Sequence, residues 1–361
     1  MWPQPAASED QKYRKENRSL RSEETAVMLG VMTVLTEDAR RVDRMRGMVW
    51  GQFLGDAAAL GSHWIYNLTE LKEKFPAGIE GFESPGPGHY HARKSAGDLT
   101  HYGDAALVLL ESLAATGGFD PVAYGSRFLE AMAPGKYRGY LDSATRGTYE
   151  NFLDFQGGDS SKNHGYTYQN GADDDQLATA SSLAPLLVWH HGDADLGAKV
   201  EALTRVRQNN DRAVAYMQVH ARLLGELLDG RDFHTAFHRL EEEAVRHPQF
   251  GAEFSRKFSA AIDNKHKSFE DAVLVLGQSC PLISSFPSAL VAALKESENF
   301  ETAILGVLRA GGDNAGRAAL VGAWVGAVVG ESGLPAKWIA KLNSREKIAA
   351  LLDTAPGLRK S

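Results

Sequence analysis

The chain has 361 residues, 43% of them hydrophobic, with a net charge of −7 and one cysteine. That is enough for a sizeable core in one large domain or two ordinary ones. The acidic balance, with no basic stripe interleaved with aromatics, argues against a nucleic-acid surface, and the lone Cys280 leaves no partner for an internal disulfide.

From the N-terminus, Met1 to roughly Glu23 is polar and mixed in charge, and reads as a disordered lead-in. It lacks the apolar core of a secretory signal. Helical periodicity follows over Glu24–Leu35 and Arg40–Leu60, then Asp104–Ala115, Pro121–Met132, Ser143–Phe155 and Asp174–Trp189. It continues over Ala194–Arg207, Asp211–Leu228, Phe233–Val245, Glu253–Ile262 and Ser288–Lys295, and ends with Phe300–Leu308, Asn314–Val329 and Arg345–Leu352. Strand-like alternation is scarce, and no repeat of fixed period stands out. Two longer stretches break the helices: Pro76–Thr100, with His89, Tyr90 and His91 among its glycines and prolines, and Gln156–Gly171. Loops of that length inside a helical domain are usually functional or mobile. The expected fold is a single all-α domain over residues 24–361. The most apolar run, Ala318–Val329, is too short to span a bilayer, so no membrane partner is expected. With no targeting signal, the cytoplasm is the default compartment.

Two helices carry glycine every fourth residue: Gly47, Gly51 and Gly55 in one, Gly322, Gly326 and Gly330 in the other. Residues four apart share a helical face, and glycine inside a helix costs about 1 kcal/mol relative to alanine. A row of three implies close approach of another backbone. Asp56 directly follows the first row, and Asp313 precedes the second helix. The expectation is a tightly packed pair whose acids could meet.

Other acids stand where helices should begin: Asp104, and the run Asp173-Asp174-Asp175. Taken singly, each reads as an N-cap. Gathered in one cleft, they read as oxygen ligands for a hard cation such as Mg2+ or Ca2+. His63, in Ser62-His63-Trp64-Ile65-Tyr66, and His101, in His101-Tyr102-Gly103-Asp104, flank two of these acids. Either role, structural or pocket-lining, fits them. Arg317 follows Asp313 by about one turn and could neutralise it or hold a phosphate. No Walker loop, zinc-cysteine set, His-Glu-x-x-His or nucleophile elbow is present.

Gly47-x-x-x-Gly51-x-x-x-Gly55-Asp56-Ala57, the Asp104 helix start, and Gly311-Gly312-Asp313 with its small-residue helix resemble the ADP-ribosylglycohydrolase superfamily, in the family's order, over roughly Asp43 to Leu352. The resemblance implies a compact all-α domain. Active members hold a pair of Mg2+ ions and cleave ADP-ribose from protein side chains or related compounds, and lens crystallins share the fold. This chain departs from the active pattern. Tyr102-Gly103-Asp104-Ala105 stands for Thr-Asp-Asp-Thr, and Gly311-Gly312-Asp313-Asn314-Ala315-Gly316 for Gly-Gly-Asp-Thr-Asp-Thr. Asp104 and Asp313 remain of the four metal-binding aspartates, so at most one Mg2+ is expected, held by Asp104 and Asp313 with help from Asp56 or from the 173–175 run, Asp174 foremost.

In the catalytic reading, Asp56, His63, Asp104 and Asp313 are the candidate machinery, with a carboxylate or His63 as general base. Tyr66, His101, Tyr102, Asn314 and Arg317 would contact the ligand, the tyrosines or Trp64 by stacking and Arg317 through a pyrophosphate. The ligand is an ADP-ribose-type small molecule or an ADP-ribosylated protein. The alternative is a catalytically degenerate, crystallin-like member that binds a ligand or serves a structural role.

Overall fold

The structure, a computed structural model, describes residues 36–157 and 166–358. The expected lead-in, the expected helix over 24–35 and residues 158–165 of the second loop lie outside the described residues. The chain divides into two units, Met1–Arg40 and Arg41–Ser361. Of the first, residues 36–40 are described, and they hold the start of the Glu37–Ala59 helix.

The described residues fold as α-helices with short 3-10 turns and no strand. Expected and observed ends agree within a few residues for most helices, and coincide for Asp211–Leu228, Asn314–Val329 and Arg345–Leu352. One expected helix, Asp174–Trp189, is instead a turn, a 3-10 segment at Ala180–Ser182 and a short helix over Ala184–His190. Pro185 lies in the first turn of that helix, where a missing N–H goes unnoticed. Residues 172–177 are drawn away by backbone pairing, Ala172 with Gln208 and Gln176 with Pro281. Three short helices went unread in the sequence: Leu68–Lys74, Phe269–Leu276 and Ala336–Lys341.

What positions the site is the seam between the Glu37–Ala59 and Asn314–Val329 helices. A methyl group added at Gly51 would strike the carbonyl oxygen of Gly322, and one at Gly322 would strike that of Gly51. Gly47 and Gly326 block each other in the same way, and Gly55 lies against the Ala318 carbonyl. Partner numbers fall as the first helix advances, so the helices run antiparallel. The C-terminal end of one, carrying Asp56, therefore lies beside the N-terminal end of the other, capped by Asp313. The flanks of the seam are apolar: Met48, Phe53, Leu54, Leu320, Val321 and Trp324 are all buried. Trp324 still satisfies its indole, donating to buried His220 Nδ1 at 2.9 Å.

Candidate functional site

The Asp313 end is built by a tight turn. Gly311 and Gly312 both adopt left-handed φ, 64° and 65°, a conformation that glycine takes at no steric cost. Trp64, not a glycine, also has φ of 62°. The two segments bond reciprocally: Trp64 N–H donates to Gly312 O and Gly312 N–H to Ile65 O, each at 2.8 Å. Asp313 then caps its helix, accepting from Gly316 N–H at 3.4 Å. Its Oδ2 accepts the Tyr102 hydroxyl at 2.8 Å, and its Oδ1 lies 3.6 Å from His63 Nδ1. Burial raises the Asp313 pKa, opposed by the Tyr102 bond and the Arg317 charge.

Arg317 and Asn314 hold this turn. Arg317 is fully buried and donates to Gln278 O at 2.8 Å and to Gly311 O. Burial lowers its pKa to about 10. Asn314, also buried, donates to Ser62 Oγ at 2.9 Å and Leu308 O at 3.1 Å. The terminal nitrogens of Arg317, expected to contact a pyrophosphate, brace the turn, while its buried Nε has no hydrogen-bond partner.

Asp104 is not a cap. Thr100 caps the His101–Thr116 helix through its hydroxyl, and Asp104 sits in the first turn. Its Oδ2 is 2.5 Å from the Lys94 ammonium and accepts the Tyr137 hydroxyl. Burial raises its pKa, with Lys94 the main opposing influence. Beside it, Asp56 is buried and accepts both the Thr100 N–H, at 2.8 Å, and the Thr100 hydroxyl. Burial pushes the Asp56 pKa up to about 7. A side chain at position 103 would collide with the Asp56 carboxylate where it stands, so this placement of Asp56 requires glycine at 103.

The triple aspartate run disperses its charges. Asp173 accepts from Asn210 at 2.7 Å, and Asp175 pairs with Arg212 at 2.9 Å. Asp174 accepts from Ser143 at 3.0 Å, from Gln208 at 2.9 Å and from Gln176 N–H at 2.9 Å. Burial raises its pKa. Tyr66 is 44% exposed, and burial of its phenol raises that pKa too, with Cys280 and Asp313 adding to the shift.

Histidines fill the space between. His63, His91 and His101 are all buried, and one ring nitrogen from each lies within 4.8 Å of the other two. His101 Nδ1 is 3.4 Å from His91 Nε2. Tyr102 packs on His101, ring centres 3.9 Å apart, and Trp64 stacks on His63 at 4.1 Å. Outside them stands a rim of Trp64, Tyr90 and Tyr140, with mutual centroid distances of 4.6–5.3 Å. Tyr90 is 61% exposed.

The expected Mg2+ ligands do not converge. Among the described residues the only set of three or more His, Cys, Asp or Glu within ligand distance is the histidine trio, so Asp104, Asp174 and Asp313 do not share one ion's shell. Mg2+ demands near-octahedral oxygen coordination at about 2.0–2.1 Å. Here the charge of Asp104 is already met by an ammonium, and a second acid at position 103 would have to displace the Asp56 carboxylate from Thr100. The residues present do not fit a Mg2+ pair.

Sequence reasoning missed Lys94, Tyr137 and His91. A His-Tyr-His triplet in the Pro76–Thr100 loop was the one local signal for His91. Nothing local announced the other two.

Comparison with known proteins agrees with this architecture. The profile of the ADP-ribosylglycohydrolase family matches residues 36–360. Crystallin J1A of Tripedalia cystophora is 27% identical over 321 residues, covering 85% of this chain and 94% of the crystallin. Crystallin J1B of the same organism is 27% identical over 319 residues, with 84% and 94% covered. In fold, the chain matches a solved ADP-ribosylglycohydrolase-related protein complex with a TM-score of 0.63 at 23% identity, over 89% of this chain and 99% of that one.

Proposed function

The chain belongs to the ADP-ribosylglycohydrolase family, and from that premise we propose that it binds an ADP-ribose-type sugar nucleotide, free or on a modified protein, without running a two-Mg2+ hydrolysis. The observation that carries this reading is the Lys94 ammonium, 2.5 Å from Asp104. It supplies the positive charge that a cation would otherwise bring. Gly103 supports the same reading, because the second acid of the active pattern is missing there and any side chain would have to displace the Asp56 carboxylate. The rim of Trp64, Tyr90 and Tyr140 offers aromatic faces for a base or sugar, and base stacking is worth about 1–3 kcal/mol. In this reading the chain is of the crystallin-like kind, with the aromatic rim kept for a ligand.

Glycosidic hydrolysis has one observation in its favour. Asp56 is held near neutrality, with a pKa of about 7, where a carboxyl can serve as acid or base. Its burial behind Thr100 weighs against that use.

Calorimetry with ADP-ribose tests the proposal. Binding is expected with and without Mg2+, with no ADP-ribose released from a modified protein, and Trp64→Ala should weaken affinity by roughly tenfold or more. Mg2+-dependent release would overturn the non-hydrolytic part. Absence of binding would leave a structural role.

A further inference from the structure

We propose that His63, His91 and His101 form a binding site for one transition-metal ion of the zinc class, separate from the carboxylates to which the family resemblance points. The His101 Nδ1 to His91 Nε2 distance of 3.4 Å is close to the edge of a tetrahedron with metal–nitrogen bonds of about 2.0–2.1 Å, roughly 3.3 Å. The third nitrogen comes from His63, whose Nε2 is buried with no hydrogen-bond partner. A chain of ring hydrogen bonds is the competing explanation. It accounts for the His91–His101 contact but leaves His63 Nε2 unpartnered, the one of the orphaned ring nitrogens that a shared ion would take up.

The surroundings suit a metal. Ligating histidines commonly point their second nitrogen at a carboxylate, which fixes the ring and raises its basicity. His63 Nδ1 lies 3.6 Å from Asp313, and His101 Nε2 lies 3.6 Å from Asp142. Ligation through His63 Nε2 would put the ring proton on Nδ1, towards Asp313, and give up the 3.3 Å contact that Nδ1 now accepts from Ala315 N–H. Burial holds all three imidazoles in the neutral, ligand-competent form, that of His91 with a pKa of about 3. Lys94 and Arg207 add positive charge nearby, which Asp313 and Asp142 offset.

The trio is also preorganised. His63 follows the Glu37–Ala59 helix, and His101 opens the next long helix. His91 comes from the loop, which His89 pins: its Nε2 donates to His63 O at 2.9 Å, and its Nδ1 accepts the His91 N–H at 3.0 Å. Three neutral imidazoles select zinc, cobalt, nickel or copper over magnesium, and three protein ligands leave a fourth position open for water or a ligand atom.

The test uses the full chain, stripped with a chelator and titrated with Co2+. One equivalent should bind with the intense visible absorption of a four-coordinate site, and Zn2+ should displace it. His91→Ala and His101→Ala should each abolish the absorption, while Asp142→Asn, which can still cap its helix, should lower affinity by about 10–100-fold. No such absorption in the unmutated chain, or a spectrum unchanged in His91→Ala, would overturn the proposal. Because the spectrum is read without nucleotide, its failure is distinguishable from failure of ADP-ribose binding, which is measured with no Co2+ or Zn2+ present.

Discussion

Two polar clusters share the end of the glycine seam, and they differ in how their demands are met. Each carboxylate has its own partners: Thr100 for Asp56, Lys94 and Tyr137 for Asp104, Tyr102 for Asp313. The histidines have nitrogens to spare. A buried charge is costly until paired, and in the carboxylate cluster the protein pairs it with its own side chains. Unsatisfied donors and acceptors, rather than the acids themselves, mark where an external group would be gained. The acids that resemble a metal centre are the less available of the two sets.

Both clusters depend on the seam, so the largest effect should come from breaking it. Gly51→Val would drive a branched side chain into the Gly322 carbonyl and force two backbones apart. Loss of at least about 4 kcal/mol is expected, seen as a melting transition lowered or lost in calorimetry. A near-normal melting temperature would mean that the helices do not pack as described.

A smaller effect separates the clusters by pH. The folded pKa of Asp56, about 7, exceeds its ordinary value of 3.8. Between those values the folded state holds more protons than the unfolded state, so stability contributed at this site falls as pH rises from about 4 to about 7. The histidines act in the opposite sense: their lowered pKa values favour unfolding as pH falls below about 6.5. Asp56→Asn, which mimics the protonated acid, should therefore gain stability relative to the unmutated chain as pH rises, on the order of 2 kcal/mol between about pH 5 and about pH 8. Denaturant unfolding at the two pH values measures it, and a pH-independent difference would mean that Asp56 is not held near neutrality.

How much of this was legible in the sequence follows from how local each signal is. Glycines four residues apart announce their own face, so the seam could be read, and with it the meeting of the Asp56 and Asp313 ends. The Asn314–Val329 helix was placed to the residue because an aspartate cap begins it and Gly330 ends it. The Asp174–Trp189 helix failed because pairing with Gln208 and Pro281, remote in sequence, outweighs local periodicity. Lys94 lies in a stretch without periodicity, and its role exists only because the loop folds back onto Asp104 ten residues later. The same folding carries His91 to His101. Chemistry assembled by a loop leaves little trace in spacing.

The most direct test of the resident ammonium is the melting temperature with and without MgCl2, measured on the unmutated chain and on Lys94→Ala. No rise is predicted for the unmutated chain, because Lys94 already neutralises Asp104, and a rise is predicted for Lys94→Ala, whose freed carboxylate would attract the cation. A clear Mg2+-dependent rise in the unmutated chain would contradict the account.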